Sequence, residues 1–67
     1  MSIFAWKVAW DVHTECRVRK GSVFFPQAIA NALGITRAEA ELALWYLRTE
    51  NIVRKRRDGR WYLVMTN

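Results

Sequence analysis

Signals that start a helix, stop it and start another are crowded between Pro26 and Glu39. Pro26 fits the first turn of a helix, and it pushes Phe25 before it toward extended geometry. Gln27 to Leu33 then reads as a short helix with Ala28, Ile29, Ala32 and Leu33 on the buried side, and Gly34 provides a left-handed stop. Thr36 and Glu39 have capping-box spacing: the Thr hydroxyl accepts from the N–H near Glu39, while the Glu carboxylate reaches back to the N–H of Thr36. A second helix therefore starts there and runs through Ala38, Ala40, Leu42, Leu44 and Leu47 to about Glu50. Asn51 is able to adopt the left-handed backbone that ends it. Ala40, Ala43, Leu44 and Leu47 share one face and are predicted core, which leaves Ala38, Leu42, Trp45 and Thr49 pointing largely elsewhere.

The flanks of this pair differ in kind. Ser2 to Lys20 alternates apolar and polar residues like a strand, yet Phe4, Ala5, Val8, Ala9, Val12 and Cys16 also form one helical stripe. Length favours a helix, and Arg17, Arg19 and Lys20 followed by Gly21 are plausible at its C-terminus. Ser22 to Phe25 is a short apolar, strand-like stretch. Beyond the second helix, Ile52 to Arg57 and Arg60 to Met65 flank Asp58-Gly59, the signature of a hairpin with a two-residue type I′ turn. In that register Arg57 pairs with Arg60, Arg56 with Trp61, Lys55 with Tyr62 and Arg54 with Leu63.

Composition limits what such a chain does. With 67 residues it is expected to form a single domain over 1–67, divided into an N-terminal helix (1–20), a helix-turn-helix (22–50) and a hairpin (52–65). A chain of that size buries only about 60% of the surface it exposes when unfolded, so aromatic packing or self-association has to help. Cys16 is the only cysteine, which excludes an internal disulfide framework and any multi-cysteine zinc site. No apolar run approaches the roughly 18 residues of a membrane span, so a soluble, cytoplasmic protein with no membrane partner is expected. The formal net charge is +5. Six of the 11 Lys and Arg residues fall between Arg48 and Arg60, against Glu50 and Asp58, so the positive charge is concentrated late in the chain.

In order, the elements are a helix, a short strand, a short helix, a tight turn, a helix and a basic hairpin. Pro26-Gln27-Ala28-Ile29-Ala30-Asn31-Ala32-Leu33-Gly34-Ile35-Thr36-Arg37, Leu44 and Leu47, and the stretch from Asn51 to Trp61 together resemble the winged helix-turn-helix family over about residues 22 to 65. The fold this implies is α+β, mostly α, with three helices, a C-terminal β-hairpin wing and a short strand before helix 2. The function it implies is binding of double-stranded DNA, with helix 3 in the major groove and the wing along the backbone or in the minor groove. On that resemblance Thr36, Arg37, Ala38, Glu41, Leu42 and Trp45 are the DNA-binding residues of helix 3, with Arg37, Glu41 and Leu42 in contact with bases. Residue chemistry supports the wing independently, because Arg54, Lys55, Arg56, Arg57 and Arg60 place five cations within seven positions, each able to approach a phosphate. Z-DNA-binding domains share the layout, and Trp45 stands near a Tyr that they pack on nucleic acid. Glu41, however, replaces their Asn and removes its donor.

Three further expectations complete the picture. Leu42, Trp45 and Tyr46 form an apolar patch that suits a protein partner, the alternative function of such a domain. Ile3, Trp6 and Trp10 make a second apolar face on the first helix, which predicts a homodimer whose half-sites lie about 34 Å apart. No catalytic residues, metal ligands or cofactors are expected: His13, Glu15 and Cys16 are the nearest approach to a reactive cluster, and zinc needs three or four ligands. A small DNA-binding transcription regulator, acting as a repressor, is the function expected from the sequence.

Overall fold

The computed structural model describes residues 3–64, with side chains from Lys7 onward. The elements are α1 (Ile3–Val18), β1 (Val23–Phe24), α2 (Pro26–Leu33), α3 (Arg37–Thr49), β2 (Val53–Lys55) and β3 (Trp61–Leu63). The architecture is α+β, mostly α: three helices and a three-stranded antiparallel sheet, compatible with a winged helix layout. α1 packs across α3 and α2, and α3 also rests on β2.

The helix boundaries follow local chemistry. α1 ends at Val18, two residues before the expected Lys20, because the chain tightens there. Arg19 N–H is shared between the Glu15 and Cys16 carbonyls, and Lys20 N–H returns three residues to Arg17. α2 begins with Pro26 in its first turn and ends at Gly34, whose φ of 67° lets the N–H groups of Gly34 and Ile35 both reach the Ala30 carbonyl. At α3 both halves of the capping box are present. Thr36 Oγ1 accepts from Glu39 N–H at 3.1 Å, and Glu39 Oε1 accepts from Thr36 N–H at 3.1 Å. Asn51, at φ 61°, closes α3 in a Schellman arrangement, with Ile52 N–H on Leu47 O at 2.9 Å and Asn51 N–H on Arg48 O at 3.0 Å.

One core joins every element. Val12 and Cys16 of α1 meet Ile29 and Ala30 of α2, the Ala40, Ala43, Leu44 and Leu47 stripe of α3, Phe24 of β1, Val53 of β2 and Trp61 of β3. The α3 stripe is the one expected. On α2 the buried residues are Pro26, Ile29 and Ala30; Ala32 faces solvent, while Ala28 and Leu33 are half-buried. The indole of Trp61, only 1% exposed, forms the bulk of the core beneath the wing.

The sheet departs from expectation in two ways. β3 is its central strand, and β1 pairs with it through Val23↔Tyr62 and Phe24↔Trp61, so the short strand before α2 ties the wing to the helix-turn-helix. The hairpin register is also shifted by one residue from the two-residue turn. Val53 lies opposite Leu63, Arg54 opposite Tyr62 and Lys55 opposite Trp61. The loop holds Arg57, Asp58 and Gly59. Gly59 N–H donates to Arg56 O at 3.1 Å, Arg56 N–H donates to Arg60 O at 2.7 Å, and Gly59 sits at φ 92°. This is the three-residue hairpin with glycine in the left-handed position, a close competitor of the type I′ form. Met65, expected in the last strand, and Ser2, expected in the first helix, lie outside the described residues.

Candidate nucleic-acid interface

The register decides where each wing cation points. Cross-strand partners share a sheet face, so Lys55 shares the core-side face with Trp61, and Arg54 shares the opposite face with Tyr62. Lys55 is too far along the strand to be covered and remains exposed. Its ammonium lies 5.3 Å from the centroid of the Trp45 ring and 6.0 Å from that of Trp61. Arg48, one turn beyond Trp45 on α3, places its guanidinium 5.0 Å from the same Trp45 ring. Trp45 in turn meets Trp61 edge to face at 5.3 Å and 88°. At the wing tip, Arg60 covers Phe25 at 5.1 Å. Two partly exposed aromatic rings therefore carry three cations, a favourable pairing of positive charge with the negative ring face.

Asp58 is the single acid of the hairpin. Its carboxylate accepts from Arg60 N–H at 3.0 Å and stands 3.7 Å and 3.9 Å from Arg56 Nε and Arg60 Nε. Both pairs are loose and exposed, so water screens them strongly. Among the described residues, Arg54, Lys55 and Arg57 contact no carboxylate, and the five wing cations face one anion.

On α3 the predicted residues separate. Thr36 is committed to the helix cap, its hydroxyl both accepting from Glu39 N–H and donating to Glu39 Oε1 at 2.9 Å. The Thr36 backbone N–H and then the Thr36 hydroxyl, both donating to Glu39 Oε1, hold the Glu39 carboxyl below its ordinary value. Arg37 Nε donates to Glu41 Oε1 at 2.9 Å, so the glutamate that would repel a phosphate already has a cation. Ala38 and Leu42 are exposed on the crest, Leu42 at 73%. Trp45 leans to the wing. Tyr46 turns the other way, into a notch lined by Ala9, Trp10, His13, Leu47, Glu50 and Ile52. Leu42 thus stands exposed between Trp45, which lines the groove beside the wing, and Tyr46, which lines the notch beside α1.

Between the start of α3 and the wing lies an open groove of about 510 Å³. Pro26 and Trp61 are buried in its floor, Phe25 and Trp45 are exposed along it, and Gln27, Arg37, Glu41, Lys55 and Asp58 supply polar groups. It unites Arg37, Glu41, Trp45 and Lys55 from the predicted set; Arg54 and Arg57 stand away from it. Sequence reasoning missed Phe25, Arg48 and Trp61. The Trp45–Arg48 spacing of one helical turn was a usable signal, as was the spacing of Arg37 and Glu41. The Phe25–Arg60 contact had none, since it depends on β1 joining β3.

Trp10 of the predicted dimer face is 57% exposed on α1 and meets His13 edge to face at 6.1 Å. The side chains of Ile3 and Trp6 lie outside the described residues. Among those residues, no group of three or more His, Cys, Asp and Glu is placed to hold a metal, and no helix is long and apolar enough to cross a membrane. The chain matches no protein-family model, no curated protein and no solved structure.

Proposed function

We propose that this chain is a winged helix-turn-helix protein of the cytoplasm that binds double-stranded DNA through α3 and the wing. In this role it acts as a small transcription regulator that represses by occupying its site. The observation that carries the proposal is the wing: five exposed cations on one short hairpin, with a single loosely held carboxylate among them. Charge shielding of a sheet edge needs far less. In duplex binding, Arg54, Arg56, Arg57 and Arg60 meet phosphates, and their counterion release supplies most of the affinity. Arg37, Glu41 and Leu42 on α3 meet base edges, with Glu41 accepting from cytosine N4 and Leu42 touching a thymine methyl. A dimer joined through Ile3, Trp6 and Trp10 of α1 presents two such units. The protein-binding alternative, through Leu42, Trp45 and Tyr46, draws less support because Trp45 and Tyr46 line separate hollows, one beside the wing and one beside α1.

Salt dependence tests the proposal. Four to five phosphate contacts give a log-log slope of affinity against salt of about −3.6 to −4.5 on mixed duplex DNA. Replacing Arg54, Arg56 and Arg57 together by Ala lowers the magnitude of that slope by up to about one unit per residue. A slope that does not change removes the wing from the interface. Equal affinity for random and selected duplexes removes base reading by α3.

A further inference from the structure

We propose that the groove between α3 and the wing receives one unpaired nucleobase of DNA, stacked on Phe25 or Trp45 while the flanking phosphates lie on the cationic rim. The inference rests on DNA binding and adds a preference for DNA that has a base out of its stack. A groove for phosphates alone would be polar and uniformly basic. This one is apolar along its floor, where Pro26 and Trp61 are buried, and its two aromatic rings are 47% and 43% exposed for Phe25 and Trp45. Its inner walls carry carboxylates, Glu41 on α3 and Asp58 on the wing. Paired with Arg37, and with Arg56 and Arg60, these carboxylates offer a phosphate no attraction, yet they accept hydrogen bonds from exocyclic amines such as cytosine N4. The cations sit above the rings, Arg60 over Phe25 and Arg48 and Lys55 over Trp45, on long exposed side chains. When phosphates draw those side chains outward, the ring faces they covered become available to a base.

A base paired in a duplex has both faces covered by its neighbours, whereas an extrahelical base offers one. Stacking on one aromatic side chain is worth about fivefold or more in affinity. The groove volume of about 510 Å³ leaves room for one base and its sugar.

Three DNAs of one sequence distinguish the outcomes when titrated with the full chain by fluorescence anisotropy. One is fully paired, one carries a single bulged adenine, and one carries an abasic bulge, which bends the duplex without supplying a ring. The proposal expects the adenine bulge to bind at least about fivefold tighter than the other two. It also expects 2-aminopurine at the bulge to be quenched on binding and 2-aminopurine in a paired position to be unaffected. Phe25→Ala or Trp45→Ala, whichever removes the ring that stacks, should abolish the preference, and Phe25→Ala should keep affinity for paired DNA. If either variant fails to fold, quenching by the unaltered chain still decides the matter. Equal binding of all three DNAs overturns the nucleobase site and leaves duplex binding intact. Equal gains for the adenine and abasic bulges also overturn it, because bending alone is then recognised. Binding to none of the three overturns both readings.

Discussion

Cys16 has no exposed surface where α1 meets the rest of the core. Burial, and then the charge of neighbouring Glu15, push its thiol from 9.0 up to about 12, against a smaller pull from Arg19. Only the thiolate is nucleophilic. Iodoacetamide at pH 8 should therefore leave Cys16 unmodified in the native chain and alkylate it in denaturant, as mass spectrometry will show. Ready alkylation without denaturant would mean that the α1 side of the core opens. The same shift has a stability consequence. Above pH 9 the unfolded thiol ionises while the folded one keeps its proton, so stability present below pH 9 is lost progressively as pH climbs toward 12. The Arg37–Glu41 pair shows how a residue read in isolation misleads. Glu41 alone argues against a phosphate-facing helix, yet with Arg37 four residues earlier it is a neutral pair.

The start of α3 depends on a reciprocal hydrogen-bonded cap. Glu39 is held below its ordinary value of 4.5 by the backbone N–H and the hydroxyl of Thr36. A depressed carboxyl stabilises the fold above its unfolded value, and that contribution is lost as pH falls below about 4.5. Urea midpoints should accordingly decline on acidification, and Glu39→Gln should flatten the decline. Thr36→Ala should cost about 1 kcal/mol near neutral pH. A midpoint unchanged by either substitution would show that the cap adds nothing to the fold. The sequence made α2, α3 and both of their stops readable because each rests on contacts within a few residues: Pro26, Gly34, the Thr36–Glu39 box and Asn51. The wing was readable as a hairpin, but its register was not. Asp58-Gly59 serves a two-residue or a three-residue loop equally well, and the choice depends on seating Trp61 in the core opposite Lys55. Half of the groove was hidden for the same reason, since Phe25 reaches Arg60 only through the pairing of β1 with β3.

At the scale of the molecule, the longest Cα extent is 28 Å, less than the roughly 34 Å of one duplex turn. A single copy covers one groove segment, which is why self-association matters to the proposed function. Light scattering of the intact chain should give a dimer mass, and Trp10→Ala should shift it toward a monomer. An unchanged dimer mass in that variant would place the interface away from this part of α1. The wing tip also bears on how the molecule could vary. Arg56 and Arg60 already close the ladder, so Arg57 is a surplus rung: removing it leaves Asp58-Gly59 as an ordinary two-residue connection, with Lys55 still across from Trp61. The tip can therefore gain or shed a positive charge by lengthening or shortening, without turning either strand over, so the proposed hold on DNA is separable from the proposed role of the groove.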